Sequence, residues 1–120
     1  MTLNARIYSY SACTTCKKAL KWMRENKINY ELLDIVENPP DKDMITNAIK
    51  QLGDRKKIFN TSGLSYRNLG AKVVKSMSDA EAINALVNDG KLIKRPFVIT
   101  EEGYILVGFK PDIWSDILLP

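Results

Sequence analysis

The most reactive side chains in this sequence are two cysteines. Cys13 and Cys16 are the only cysteines of the chain, and they lie in the segment "YSYSACTTCKKALKWM" (8–23). A C-x-x-C pair has three ordinary uses: it can bind a metal, form an inert structural disulfide, or act as a redox centre. Which use applies here depends on the composition of the chain and on the elements that position the pair.

The composition is that of a single globular domain. The chain has 120 residues, of which 45% are hydrophobic and 27% are charged, and this length can bury a core without covalent staples. We see no stretch apolar enough for a membrane span and no signal-peptide pattern at the N-terminus. We therefore expect a cytoplasmic monomer, in a compartment where structural disulfides are rare.

The charged residues argue against several partners. The net charge of +4 is spread over short basic clusters at 17–18, 55–57 and 94–95, whereas nucleic-acid-binding faces show denser stripes interleaved with aromatic residues. We expect no direct nucleic-acid binding, no membrane association and no cofactor. The chain has no His, and zinc sites normally use four Cys or His ligands, so a metal would have to be shared between two chains.

The cysteines lie between a strand and a helix. Residues 4–10 read as a short buried strand, and residues 14–26 follow a helical pattern with an apolar face and a basic face. Thr14 or Ser11 is the expected cap of this helix. Residues 28–35 read as a second strand, which gives a β-α-β unit with parallel strands and a right-handed crossover.

The remaining elements are helical first and then extended. A capping box of Ser78 and Glu81 marks the clearest helix, and 101–103 is a hairpin-turn signal. In order, we expect a helix at 42–52, an apolar entry and a helix within 58–70 ended by Gly70, a helix at 77–90, strands at 95–100 and 104–109, and a helix at 111–118. This order, β-α-β, three helices, β-β-α, predicts an α/β thioredoxin-like fold with an all-helical insertion.

The position of the pair favours redox chemistry. At a helix N-terminus, backbone N–H groups and the helix dipole favour a thiolate at Cys13, and Lys17 adds positive charge one turn on. Cys16 lies on the same helix face, so Cys13 would attack a disulfide and Cys16 would resolve the intermediate. Ser11 and Thr14 can donate hydrogen bonds to the thiolate. Two cysteines that merely pack in the core remain the alternative.

Arg95 and Pro96 form a second candidate feature. In folds of this type, a proline at the start of the third strand is cis and faces the reactive cysteine, and Pro96 has that position. Arg95 would then point toward the cysteine loop, where a guanidinium could steady a thiolate or bind an oxyanion. The alternative is an ordinary trans proline that opens an edge strand, next to a solvated arginine.

The sequence resembles the arsenate reductase/Spx family of thioredoxin-like proteins. The matching segments are "YSACTTCKKALKWM", "FNTSGLSYRNLG", "LIKRPFVI" and "ILVGF", which occur in the family's order over nearly the whole chain. The resemblance implies one domain over residues 1–120 with a helical insertion at about 36–94. Within this family, the sequence is most similar to small, uncharacterised arsenate reductase-like members.

The two branches of this family imply different functions. Arsenate reductases use one reactive cysteine, here Cys13, with glutathione or glutaredoxin and three oxyanion-binding arginines. Of these three arginines, this chain has only the one before the proline, Arg95; Asn60 and the region near Val107 occupy the other two positions. Lys17 stands where the family has an Arg soon after the cysteine. Spx regulators use C-x-x-C as a redox switch and bind the RNA polymerase alpha subunit.

The combined prediction is a thiol-disulfide oxidoreductase that acts on a thiol or disulfide substrate or on glutathione. Its catalytic residues would be Cys13 and Cys16. An Spx-like regulator that binds the polymerase alpha subunit is the alternative, and a glutathione- and glutaredoxin-dependent arsenate reductase is the third candidate.

Overall fold

The computed structural model describes residues 3–120, and these divide into two compact units. One unit contains the chain up to Asp34 together with Arg95–Pro120, and the other is the continuous segment Ile35–Lys94. Short 3-10 turns lie at Arg55–Lys57 and Gly90–Leu92. In chain order, the longer elements are β1 (Ala5–Ser9), α1 (Thr14–Glu25), β2 (Tyr30–Asp34), α2 (Lys42–Leu52), α3 (Leu64–Leu69), α4 (Ala71–Ser76), α5 (Asp79–Asn88), β3 (Phe97–Thr100), β4 (Ile105–Val107) and α6 (Pro111–Leu118).

Over the described residues, the first unit is built on a four-stranded sheet in the order β2-β1-β3-β4. β1 and β2 are parallel, with Ile7 opposite Leu32, whereas β1 and β3 are antiparallel, with Ile7 opposite Val98. β3 and β4 form an antiparallel hairpin. The β-α-β unit, the hairpin and the final helix confirm the predicted α/β thioredoxin-like fold.

Apolar packing holds α1 against one face of this sheet. Trp114 of α6 meets Trp22 of α1 edge-to-face, with ring centroids 5.9 Å apart, and its Nε1–H donates to the Gly108 carbonyl at 3.2 Å. Burial of a large apolar side chain contributes about 1.5–3 kcal/mol to the free energy of unfolding. This core therefore holds α1 on the sheet, with the start of the helix at the carboxyl end of β1. The buried core residues are Ala5, Ile7, Ala19, Met23, Ile28, Val98, Leu106 and Trp114.

The second unit is helical, and two of its helices, α2 and α5, begin at side-chain caps. The Asp41 carboxylate accepts from Met44 N–H at 2.9 Å at the start of α2. At the start of α5, Ser78 and Glu81 form the predicted capping box, with bonds of 2.9 and 3.1 Å. The hydrogen bond from the Ser78 backbone lowers the pKa of Glu81. α2 and α5 pack together and bury Ile45, Ala48, Ala82 and Leu86.

The expectation of three helices in this region was wrong, because α4 lies between the predicted ones. Within Ile35–Lys94, all of which the structure describes, there are four helices. Gly70 ends α3 as predicted, but its φ of +96° redirects the chain straight into α4. Arg55 stabilises the end of α4 from a distance: its Nη2 donates to the Val74 carbonyl at 3.0 Å and to the Met77 carbonyl.

Candidate redox site

Cys13 is the residue that caps α1. Its backbone is extended, with φ −89° and ψ 112°, and its Sγ accepts a hydrogen bond from Cys16 N–H at 3.2 Å. The expectation that Thr14 or Ser11 caps this helix is therefore wrong, because the sulfur takes the place of the oxygen that a Ser or Asp cap supplies. The positive end of the helix dipole meets the sulfur there, a setting that suits an anion.

The backbone of Cys13 is held on both sides. Its N–H donates to the Tyr10 carbonyl at 3.0 Å, which closes the turn between β1 and α1. Its carbonyl accepts from Lys17 N–H at 3.1 Å, in the first turn of the helix. Its side chain is partly exposed. A substrate in solvent can therefore reach a sulfur whose position is fixed.

Cys16 is the buried member of the pair, with 0% of its surface exposed. Burial raises the pKa of its thiol to about 11, and a hydrogen bond with the Cys13 side chain contributes in the same direction. Hydrogen bonds with the Tyr10 backbone and the Ser9 side chain act in the opposite direction. At pH 7 this thiol is therefore protonated. The two sulfurs are thus unequal: one is accessible, and the other is enclosed and protonated.

Arg95 lies at the loop that precedes Cys13. The Arg95–Pro96 peptide bond is cis, as predicted, and Pro96 is buried. The Arg95 guanidinium carbon is 4.7 Å from the centroid of the Tyr10 ring, a cation–π distance. Because the Tyr10 carbonyl holds the Cys13 backbone, Arg95 is connected to the cysteine through this residue. Its role toward a thiolate or an oxyanion stays a prediction.

The other predicted site residues surround Cys13 at the surface. Ser11, Thr14 and Lys17 are all exposed, and Thr14 is the first residue of α1. Ser11 and Lys17 also line a surface pocket of about 330 Å³. Stabilisation of the Cys13 thiolate by these three side chains stays a prediction.

Sequence reasoning missed Ser9 and Tyr10 as members of the site. Ser9 is the last residue of β1, and it is buried, with 7% of its surface exposed and its side chain hydrogen-bonded to Cys16. Tyr10 anchors Cys13 through its carbonyl and Arg95 through its ring. A serine at a buried strand position directly before a C-x-x-C loop is the signal that could have identified the first of them.

Metal clusters and membrane-spanning helices are both missing from the described residues. Among residues 3–120, no three or more His, Cys, Asp or Glu side chains are grouped as a metal site. In the same part of the chain, no helix has both the length and the apolar character needed to cross a membrane.

Comparison with known proteins gives the family. The ArsC family model matches residues 8–117, a range that includes both cysteines, Arg95 and Pro96. The chain belongs to the ArsC family. This confirms the resemblance that the sequence motifs indicated.

Relatives of this ArsC-family protein have several descriptions. The uncharacterised protein YusI of Bacillus subtilis (strain 168) is 40% identical over 116 residues, which cover 95% of this chain and 98% of YusI. The crystal structure of a possible arsenate reductase from Streptococcus mutans UA159 is 38% identical, with a TM-score of 0.83 and coverage of 91% of this chain and 93% of that one. The global transcriptional regulator Spx of Listeria innocua serovar 6a is 25% identical over 107 residues, 88% of this chain and 80% of that protein. Relatives therefore include arsenate reductase-like and Spx-like proteins.

Proposed function

We propose that this ArsC-family protein is a thiol-disulfide oxidoreductase. In the first step, the Cys13 thiolate attacks one sulfur of a substrate disulfide, R–S–S–R′. A bond forms between Cys13 and the R sulfur, the S–S bond of the substrate breaks, and R′–S⁻ leaves and takes up a proton. Cys13 is then joined to half of the substrate as a mixed disulfide.

Cys16 completes the reaction. Its thiol loses a proton to solvent, and the resulting thiolate attacks the Cys13 sulfur, which forms the Cys13–Cys16 disulfide and releases R–S⁻. In total, the two cysteines give two electrons to the substrate, which leaves as two thiols after taking up two protons, the one released by Cys16 and one from solvent. Glutathione or a dithiol protein then reduces the enzyme in the cytoplasm, where we propose that it acts as a monomer.

The observation that supports this proposal most directly is the difference between the surroundings of the two sulfurs. Cys13 is partly exposed and accepts a hydrogen bond at the start of α1, as an attacking sulfur requires. Cys16 is buried and its raised pKa keeps it protonated, so it does not compete for the substrate. A pair that only packed would have no need for one accessible member.

The surrounding residues have supporting roles in this proposal. We assign Arg95 and Lys17 to the positive charge near the reacting sulfurs, and Ser11 and Thr14 to hydrogen bonding at the loop. We assign Pro96 to holding the backbone between Arg95 and β3. What supports these assignments is the nearness of Ser11, Thr14 and Lys17 to Cys13 along the chain and the cation–π contact between Arg95 and Tyr10.

Trapping of the mixed disulfide tests the proposal. The Cys16→Ser variant cannot resolve the intermediate, so it should accumulate a stoichiometric adduct with a disulfide substrate, which intact-protein mass spectrometry measures. Cys13→Ser is the matched control, and it should form no adduct at pH 7 because its remaining cysteine is buried and protonated. Equal adduct formation by both variants, or no reaction of the wild-type protein with any disulfide, would refute the proposal.

A redox-switch regulator is the second candidate, and the relative named global transcriptional regulator Spx favours it. Here the Cys13–Cys16 disulfide changes a surface that binds the alpha subunit of RNA polymerase. The test is a pull-down with the isolated C-terminal domain of the polymerase alpha chain, using the reduced and the oxidised protein. Binding in one redox state alone supports the regulator, and failure in both states removes it.

Arsenate reduction is a third activity to be tested in the same preparation. Arg95 is the one counterpart to the three arginines that the family resemblance implies for the oxyanion site, so we expect no arsenate turnover with glutathione and glutaredoxin above that of Cys13→Ser. Turnover well above this control would show that one arginine suffices.

A further inference from the structure

A surface pocket of about 330 Å³ lies beside the redox loop, inside the first unit. Its volume is at the small end of the range of about 300–1,000 Å³ found for ligand pockets. Its walls are formed by the end of β1 with the following loop, by α1, and by the end of β2. The proposed exchange reaction uses the sulfurs next to this pocket but does not use the pocket itself.

Cys13 lies between two residues that line the pocket. Its N–H donates to the carbonyl of Tyr10 at 3.0 Å, and its carbonyl accepts from the N–H of Lys17 at 3.1 Å. Both Tyr10 and Lys17 belong to the pocket wall. The backbone of Cys13 is therefore joined on both sides to residues of the pocket wall.

Leucines supply the apolar part of the wall. Leu32 is on β2, an edge strand of the sheet, and 54% of its surface is exposed. Since Leu32 is opposite Ile7, it faces the side of the sheet that α1 covers. There it lines the pocket together with Leu20, three positions after Lys17 on α1. Leu33 also belongs to the pocket lining, but its side chain leaves β2 on the other face of the sheet, because side chains alternate along a strand. Exposed apolar side chains in a concave site mark a binding surface.

The charged residues of the pocket wall are one lysine, Lys17, and one aspartate, Asp34. α1 exposes Lys17, Lys18, Lys21 and Arg24, and it has no acidic residue in its first turn. The acidic residue of the wall, Asp34, already has an interaction within the protein. A bound segment with a carboxylate near its cysteine would thus meet complementary charge at Lys17.

We propose that this pocket binds an aliphatic side chain of a polypeptide whose disulfide is attacked by Cys13, and that an acidic residue of the same segment faces Lys17. The inference rests on the proposed function and names its substrate class: polypeptide disulfides with an aliphatic and an acidic residue beside the cysteine. Glutathione has no aliphatic side chain, so it would leave the leucines of the wall uncovered.

Three synthetic peptides test the specificity, each joined through its cysteine to a chromogenic aromatic thiol. The first has Leu and Glu beside the cysteine, the second has Ser in place of Leu, and the third has Lys in place of Glu. The rate at which the reduced wild-type protein releases the aromatic thiol is divided by the rate with dithiothreitol, which corrects for the intrinsic reactivity of each peptide. We expect the first peptide to react about tenfold faster than the second and several-fold faster than the third at low salt.

In Leu32→Ser, the ratio of the corrected rate for the first peptide to that for the second should fall to nearly one. Leu64→Ser is the matched control, since Leu64 is also exposed, at 65%, but belongs to the second unit, and it should keep the wild-type preference. If the wild-type protein reacts with all three peptides at equal corrected rates, the pocket assignment fails while the exchange activity stands. If it reacts with none of them, the proposed function itself fails.

Two further outcomes also overturn the assignment. Equal loss of the preference in Leu64→Ser would show that the effect does not come from the pocket. If S-methylglutathione competes with the first peptide for the wild-type protein but not for Leu32→Ser, the occupant of the pocket is glutathione.

Discussion

The proton held by Cys16 makes the stability of the reduced protein depend on pH. Burial raises the pKa of this thiol from about 8.5–9 in the unfolded chain to about 11 in the folded one. Above about pH 9 the unfolded chain loses this proton while the folded chain keeps it, so the free energy of unfolding falls until the pH passes about 11. The full loss is about 3 kcal/mol, since each pKa unit corresponds to about 1.36 kcal/mol.

Urea unfolding of the reduced protein, followed by tryptophan fluorescence, measures this loss. Wild type and Cys16→Ser are compared at pH 7, 9 and 10, because the lysines and tyrosines titrate in both and cancel in the difference. We expect the wild type to lose about 1–2 kcal/mol relative to Cys16→Ser between pH 7 and pH 10.

The Cys13→Ser variant separates the two causes of the raised pKa. It keeps the burial of Cys16, the larger cause, and removes the contribution of the Cys13 side chain. Its pH dependence should therefore be weaker than that of the wild type but still present. Parallel pH profiles of the wild type and Cys16→Ser would refute the argument that folding holds Cys16 in its protonated form.

Three further predictions concern the second unit, and urea unfolding measures each. Arg55→Ala should lower the free energy of unfolding by about 2 kcal/mol, because the guanidinium donates to carbonyls at the end of α4; an unchanged midpoint would contradict this. Ser78→Ala should cost about 1 kcal/mol through the lost side-chain cap. It keeps the backbone N–H that donates to Glu81, the main cause of the lowered pKa of Glu81, so the stabilisation by the Glu81 carboxylate, which is present at neutral pH and lost as the pH falls below about 4.5, should remain in this variant. Glu81→Gln should remove this loss of stability at acid pH. Gly90→Ala would put a Cβ 1.9 Å from the Ile35 carbonyl oxygen and should cost more than Gly53→Ala, where space is open and only a φ of +75° opposes the change by about 1–2 kcal/mol.

Elements with strong local signals could be predicted from the sequence. The helix Lys42–Leu52 has its predicted limits, because Asp41 caps it and Gly53 ends it in the left-handed region. The capping box of α5 is likewise local, since both of its hydrogen bonds join Ser78 and Glu81. Spacing and residue type are sufficient when the stabilising contacts lie within one turn.

The failures depend on contacts between residues far apart in the chain. α4 is a short helix of six residues, and the donors at its end come from Arg55, at a separation of 19 to 22 positions. The cap at Cys13 was missed because sulfur is not a usual cap acceptor. The pocket lined by Leu20 and Leu32 was missed for a related reason: it requires the register of β1 and β2, which no local pattern gives.

The sheet order has a consequence for the way the protein is made. β1 pairs with β3, so the sheet needs both parts of the chain, whereas Ile35–Lys94 is one continuous stretch. On the ribosome, the parallel pair β1–β2 with α1 leaves the exit tunnel first, and the helical segment follows before β3 exists. The two cysteines therefore spend most of the synthesis time in an unfinished sheet, without Arg95. The core that α1 shares with Val98 of β3 is completed only when β3 pairs with β1, so a newly made chain depends on reducing surroundings to keep both thiols reduced.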